Sequence, residues 1–201
     1  MIVKKFETKD EWMEARKGKI TGSRLKDIVV KRGIDEKIGF YEIIAERIAQ
    51  PADEENAMER GIRLEEEAIS VFQKQTNFKV DTSLIIWENE KNKNIAISPD
   101  GVISEIEAVE VKCLSSAKHI EAIITKQIPS EYDFQKLQYF IVNDKLEKLY
   151  FIMYDPRMPD NLKLHYFIVN RVDIEEDIKT YKKYQEEKLE KIEDIINQLT
   201  F

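Results

Sequence analysis

Histidine, cysteine, proline and glycine are scarce in this chain: two, one, five and six in 201 residues. The lone Cys113 excludes an internal disulfide and fits a reducing compartment. It also excludes zinc sites built on paired cysteines, so any metal site has to use oxygen or histidine. His119 and His165 lie far apart in sequence, the second within an apolar run, and neither reads as a ligand. With so little proline and glycine there is no linker-like tract, and there is no repeat or low-complexity segment. No apolar run approaches the roughly 18 residues of a membrane span. The opening MIVKKFETKDEW lacks the apolar stretch and small-residue cleavage site of a secretory signal. These absences predict a cytoplasmic protein with no membrane partner. With 42% apolar residues the chain can build a sizeable core, and we expect a single domain over 1–201.

Net positive charge is also missing. A formal charge of −7 argues by itself against a nucleic-acid partner, because duplex binding depends on neutralising phosphates. The distribution changes that picture. Residues 1–50 carry 12 basic and 9 acidic side chains, whereas residues 51–110 carry 6 and 14. The acidity is concentrated where a cation site would require it, although a solvated acidic face has the same counts.

Apolar periodicity divides the chain into three stretches: a helical part over 1–76, a sheet core over 79–172 and a long amphipathic helix over 173–201. Thr8 and Glu11 have the spacing of a capping box. FYEIIAERIAQP and a segment from about Asn56 to Thr76 read as helices, the latter with Leu64, Ala68, Val71 and Phe72 on one face. VDTSLIIWE, NIAIS, GVIS and AVEVKC read as an antiparallel meander. SSAKHIEAIITKQI is helical with a serine cap, and Ser130 with Asp133 suggests another capping box at the head of the next helix. LEKLYFIMYD and LKLHYFIVNR form a strand pair. The last helix aligns Ile174, Ile178, Tyr181, Lys188 or Leu189, Ile192, Ile196 and Leu199 on a stripe. The expected fold class is α+β (mixed α/β), a mostly antiparallel or mixed central sheet flanked by helices.

Within that sheet, SPDGVISEIEAVEVKC (98–113) carries the chemistry. Alternation along a strand puts Glu110 and Lys112 on one face. Asp100, at the head of the preceding strand, can bring a second carboxylate to the same spot. Two carboxylates and a backbone carbonyl make an all-oxygen site of the kind magnesium prefers, completed by water, and manganese is an alternative occupant. A lysine beside such an ion suits water activation in phosphodiester cleavage. The plainer reading is a solvent-facing ion pair beside an Asp-Gly turn.

These residues resemble the PD-(D/E)xK nuclease core, a restriction-endonuclease-like fold. The chain as a whole is similar to the phage lambda exonuclease family of recombination nucleases, also described as YqaJ-like viral recombinases. The shared elements run in order from Trp12 to about Arg171: W-x-x-x-R-x-x-x-ITGS, RGIRLEEEA, SPDG, VEVKC, the segment from Tyr132 to Tyr139, YDPRM and LHY. The resemblance implies Asp100 and Glu110 as metal ligands, the Val111 carbonyl as a further ligand and Lys112 as the water-orienting residue. It implies Glu65, first of the triplet Glu65-Glu66-Glu67, as an additional acidic residue. Arg16 and Ser23 correspond to positions that hold a terminal 5′-phosphate, a role suited to a fork-shaped guanidinium and a hydroxyl at a helix start. Ser98 and Gln135 would be further contacts. Relatives more often carry two glutamines separated by one residue. Here Gln135 and Gln138 are three apart, and the spacing from Tyr132 favours Gln135.

The implied activity is a Mg²⁺-dependent 5′→3′ exonuclease that acts on linear double-stranded DNA and leaves 3′ overhangs. A ring-shaped homotrimer and a single-strand annealing recombination protein are the implied partners. Arg24, Lys31 and Arg32 are candidates for lining the ring's channel. The alternatives are a structure-specific or restriction-type endonuclease of the same superfamily, and a non-catalytic helical interaction protein.

Overall fold

A short hairpin organises the sheet. β3 (Gly101–Ser104) pairs antiparallel with β4 (Glu107–Lys112), with Gly101 opposite Val109 and Val102 opposite Ala108. The register shifts between Val102 and Ser104, as at a β-bulge. In the computed structural model, which describes residues 8, 11, 14, 37–49 and 57–199, this hairpin forms one side of a four-stranded sheet of order β3-β4-β5-β6. β5 is Lys148–Tyr154 and β6 is Leu164–Asn170. The amides of Glu147 and Lys148 both donate to the Ile106 carbonyl, so β4 and β5 start at the same end and the sheet is mixed. Over residues 37–49 and 57–199 the helices are α1 (Ile38–Ile48), α2 (Ala57–Thr76), α3 (Ser116–Thr125), α4 (Asp133–Val142) and α5 (Glu175–Leu199). A separate two-stranded pair joins β1 (Trp87–Glu88) to β2 (Ala96–Ile97). The predicted mixed α+β class therefore describes the chain.

The chain divides into two compact units. One contains α1, Cys113–Gln127 and Met153–His165. Its core is Tyr41, Ala45, Ala117, Ile120 and Met158. The predicted serine cap is Ser115, whose hydroxyl accepts from the Lys118 amide as α3 begins. At the other end of α3, Lys126 takes a left-handed conformation and its amide bonds back to Ala122. His119 is fully buried, with Nε2 2.7 Å from the Leu162 carbonyl. Thr8 and Glu11 form their capping box reciprocally, through bonds of 3.3 and 3.2 Å.

The other unit contains Arg63–Lys112, Ile128–Ile152 and the described chain from Tyr166 onward. Leu64, Ala68 and Phe72 of α2 are buried as their spacing predicts. Phe72 meets Phe78, Tyr150 and Tyr166 in an aromatic cluster with centroids 5.2–6.0 Å apart. Arg171 clasps the end of α4 by donating to the carbonyls of Phe140, Asn143 and Leu146. Ile178 is buried, whereas Ile192 is 48% exposed, so the apolar stripe of α5 is covered toward its beginning.

Two expected details differ. The Ser130–Asp133 capping box does not form. Ser130–Tyr132 is instead a 3₁₀ turn, the Asp133 amide bonds to the Ser130 carbonyl, and the Asp133 carboxylate holds Lys136 at 2.6 Å. The meander is broken as well. From VDTSLIIWE only Trp87 and Glu88 enter a strand, while Asp81 bridges Val102, and Leu84, Ile85 and Ile86 face outward. Tertiary placement overrides β-propensity in this run.

Candidate active site

Asp100 immediately precedes β3, and Gly101 explains why it can sit there. A Cβ on Gly101 would lie 2.3 Å from the Val80 side chain, so only glycine admits the close approach of the segment carrying the Asp81–Val102 bridge. Across the hairpin, the Val111 amide donates to Asp100 Oδ2 at 2.7 Å. The N–H and C=O of one strand residue point to the same edge, so the Val111 carbonyl faces the Asp100 side of β4.

Glu110 is 1% exposed, between the buried Val109 and Val111. Its partners account for that burial. Lys112 Nζ lies 2.5 Å from Glu110 Oε1, confirming that the two side chains share a face. Gln135 of α4 donates to the same oxygen at 2.6 Å. The Tyr139 hydroxyl donates to Oε2 in a very short bond. Gln135 and Tyr139 are one helical turn apart and therefore present both donors from one face of α4. Tyr139 is a residue that the sequence reading passed over, and its signal was this spacing. The Tyr132 ring lies 5.3 Å from the Lys112 amine.

Burial and electrostatics converge here. Burial and the neighbouring Asp100 charge push the Glu110 carboxyl up to about 6, against the opposing pull of Lys112 and Tyr139. Burial also raises Asp100, despite the Val111 amide and Lys112. Glu65 of α2 is half-buried and raised as well, by burial first and then by Asp100 and Glu66. Glu66 and Glu67 are exposed, so of the acidic triplet it is Glu65 that interacts with Asp100 and Lys112. Three carboxyl groups thus share one lysine, and each holds its proton more tightly than usual.

That excess of negative charge suits a divalent cation. Among the described residues no group of three acidic, histidine or cysteine side chains is placed to hold an ion by itself. The donors of Asp100 and Glu110 are hard oxygens, the type magnesium takes as one or two carboxylates while it keeps several waters. Asp100, Glu110 and the Val111 carbonyl could hold it, with Glu65 beside them. Ser98 is exposed, two residues before Asp100. Gln138 does not reach the cluster; it donates to the Ala96 carbonyl at 3.2 Å and accepts from Gln185 at 3.0 Å. Arg16 and Ser23, together with Arg24, Lys31 and Arg32, lie outside the described residues.

Among curated proteins, no sequence matches significantly. Among solved structures, the crystal structure of LHK-Exo in complex with dAMP is 26% identical to this chain. The alignment covers 95% of this chain and 100% of that one, with a TM-score of 0.57. A second structure, of the alkaline exonuclease LHK-Exo from Laribacter hongkongensis, is 25% identical with the same coverage and TM-score. Residues 11–145, two thirds of the sequence and the stretch that holds Asp100, Glu110, Lys112 and the α4 donors, match the YqaJ-like viral recombinase domain, and the chain belongs to that family.

Proposed function

We propose that the chain is a magnesium-dependent 5′→3′ exonuclease that digests one strand of linear double-stranded DNA and leaves 3′ overhangs. The observation that carries this reading is the cluster of Asp100, Glu110 and Glu65 around Lys112, a concentration of acid and base that a stable core would avoid. The likeness to an alkaline exonuclease supports it, and the dAMP held by that enzyme is the class of product such a reaction releases.

In the proposed reaction a water oxygen bonds to phosphorus and the P–O3′ bond breaks. A 5′-mononucleotide leaves, and a 5′-phosphate remains on the shortened strand. A bound magnesium or manganese ion would supply positive charge and lower the pKa of water. Lys112 orients the attacking water and its proton. Tyr139 and Gln135 hold the Glu110 carboxylate, and the Val111 amide holds Asp100. We assign the terminal 5′-phosphate to Arg16 and Ser23, with Ser98 and Gln135 as further DNA contacts. A trimeric ring would let an acidic chain retain DNA through a locally basic channel, and its 3′ overhangs would pass to a single-strand annealing protein.

The test compares linear duplex bearing 5′-phosphate, the same duplex with 5′-hydroxyl, and a closed circle, each with Mg²⁺ or EDTA. The expected result is metal-dependent loss of the phosphorylated strand from its 5′ end, with the circle intact. Cutting of the circle would replace this reading with an endonuclease.

A further inference from the structure

Residues 178–185 of α5 read IKTYKKYQ, with three lysines, two tyrosines and no acid, between the acidic runs 175–177 and 186–187. Part of this segment packs on α4. The Tyr181 ring meets Phe134 edge-on, with centroids 5.2 Å apart, and Gln185 donates to Gln138. The aromatic rings nevertheless remain open to solvent: Phe134 is 64% exposed, Tyr184 54% and Tyr181 36%. Phe134 also directly precedes Gln135, the donor to Glu110, and lies two residues after Tyr132, the ring beside Lys112.

We propose that Phe134, Tyr181 and Tyr184 form a stacking platform for unpaired bases of a DNA strand next to the catalytic cluster, with Lys182 and Lys183 meeting its phosphates. The proposal rests on the DNA-cleaving reading above and adds to it a surface that grips single-stranded substrate. Clustered exposed rings mark a binding surface more often than a fold requirement. Aromatic faces interleaved with cations suit a single strand, because every base has a face to stack and the backbone needs neutralising. A duplex hides those faces between base pairs. The charge is complementary: residues 178–185 carry +3 in a chain of −7. Lys182 now holds Asp144 at 2.9 Å, and Lys183 lies 3.9 Å from Glu187. Exposed pairs of this kind are weak and can be exchanged for phosphate. The Lys188 amine lies 5.0 Å over the Tyr184 ring and adds a further cation beside the rings.

The experiment measures fluorescence anisotropy of a short 3′-labelled single strand, and of the matching blunt duplex, with the full-length protein in EDTA. Replacing one ring with alanine, in Tyr184→Ala or Phe134→Ala, should weaken single-strand binding by roughly 5- to 150-fold. Tyr181→Phe and Tyr184→Phe should keep it, since the ring and not the hydroxyl does the stacking. Duplex affinity should change less. Unaltered single-strand affinity in Tyr184→Ala would overturn the platform, as would failure of the phenylalanine variants to retain binding. Loss of self-association in Tyr184→Ala, with single-strand affinity unchanged, would assign the rings to a contact between copies and also overturn it. The two readings fail separately. A protein that cuts DNA with ring-independent binding loses only the platform, whereas one that binds single strands through the rings yet cuts nothing with Mg²⁺ loses only the nuclease.

Discussion

Asp155 and Glu110 are both shut away from water, at 0% and 1% exposure, but they are held in opposite electrostatic states. Burial pushes the Asp155 carboxyl up, and its hydrogen bonds more than offset this. Arg157 grips it with Nε at 2.9 Å and Nη2 at 3.1 Å, and Ser116 donates a very short bond, so its pKa lies below the usual carboxylate range. Glu110 has three donors, yet among the described residues its cation is one it shares with Asp100 and Glu65, and it stays raised at about 6. The first arrangement satisfies a charge in order to tie a loop to a helix. The second leaves charge over, which costs stability in the free protein and which, in the proposed reaction, a bound cation would neutralise.

The sharpest way to break this comparison is to neutralise one acid at each place. Asp100→Asn keeps an oxygen to accept from the Val111 amide and removes the repulsion on Glu110. Cleavage should fall by more than about a hundredfold, beyond the effect typical of residues outside the first ligand layer, while the melting temperature stays level or rises. A mutant that melts lower but still cuts would mean that Asp100 is structural. Asp155→Ala should do the reverse. It strands the Arg157 guanidinium, and urea denaturation should show a loss of about 3–5 kcal/mol, with cleavage per folded molecule retained.

The pH dependence refines the contrast. The folded pKa of Glu110, about 6, lies above its ordinary 4.5. Between those values the folded protein binds more protons than the unfolded chain, so this group lowers stability as pH rises through the window. Its full cost above pH 6 is about 2 kcal/mol. Glu110→Gln keeps the side-chain shape and an acceptor for Tyr139. In EDTA it should therefore be more stable than the native protein above pH 6, with the advantage gone near pH 4. Asp155 has the opposite sign, since its contribution is present above its unfolded pKa and is lost as pH falls through the lower folded value. Denaturation curves that leave Glu110→Gln no more stable at neutral pH would contradict the idea of surplus charge.

Much of this was legible in the sequence because it depends on short-range geometry. Strand alternation put Glu110 beside Lys112, the Asp-Gly turn put Asp100 at the head of β3, and the periodicity of α2 buried Leu64, Ala68 and Phe72. What the sequence reading missed depends on distant partners. Tyr139 matters because α4 lies against β4: its one-turn spacing from Gln135 was visible in the sequence, but the carboxylate that both donors meet was not. Glu65 could be named only through the family resemblance, because apolar periodicity does not say which face of α2 turns toward Asp100. Ser130 and Asp133 had cap spacing, but a 3₁₀ turn took up their backbone groups and Lys136 took the carboxylate. LIIW had every mark of a strand, yet an edge partner is a tertiary matter that no propensity contains.

The smallest predicted effect comes from the same strand as Glu110. Glu107, at the start of β4, also has a cation and a tyrosine: Lys148 at 3.5 Å and the Tyr150 hydroxyl at 3.2 Å. By composition this is the Glu110 arrangement repeated, but Lys148 is 44% exposed and water screens the pair. Lys148→Ala should therefore cost no more than about 1 kcal/mol, a melting shift of roughly 2–4 °C for a chain of this size, with no change in cleavage. The paired measurement is Lys112→Ala, which leaves Glu110 buried without its cation and should abolish cleavage. If both lysines gave equally small effects, burial would not be what separates an ion pair from a catalytic one here. A large loss at Lys112 and almost none at Lys148 would locate the difference in depth, since the residue types are the same.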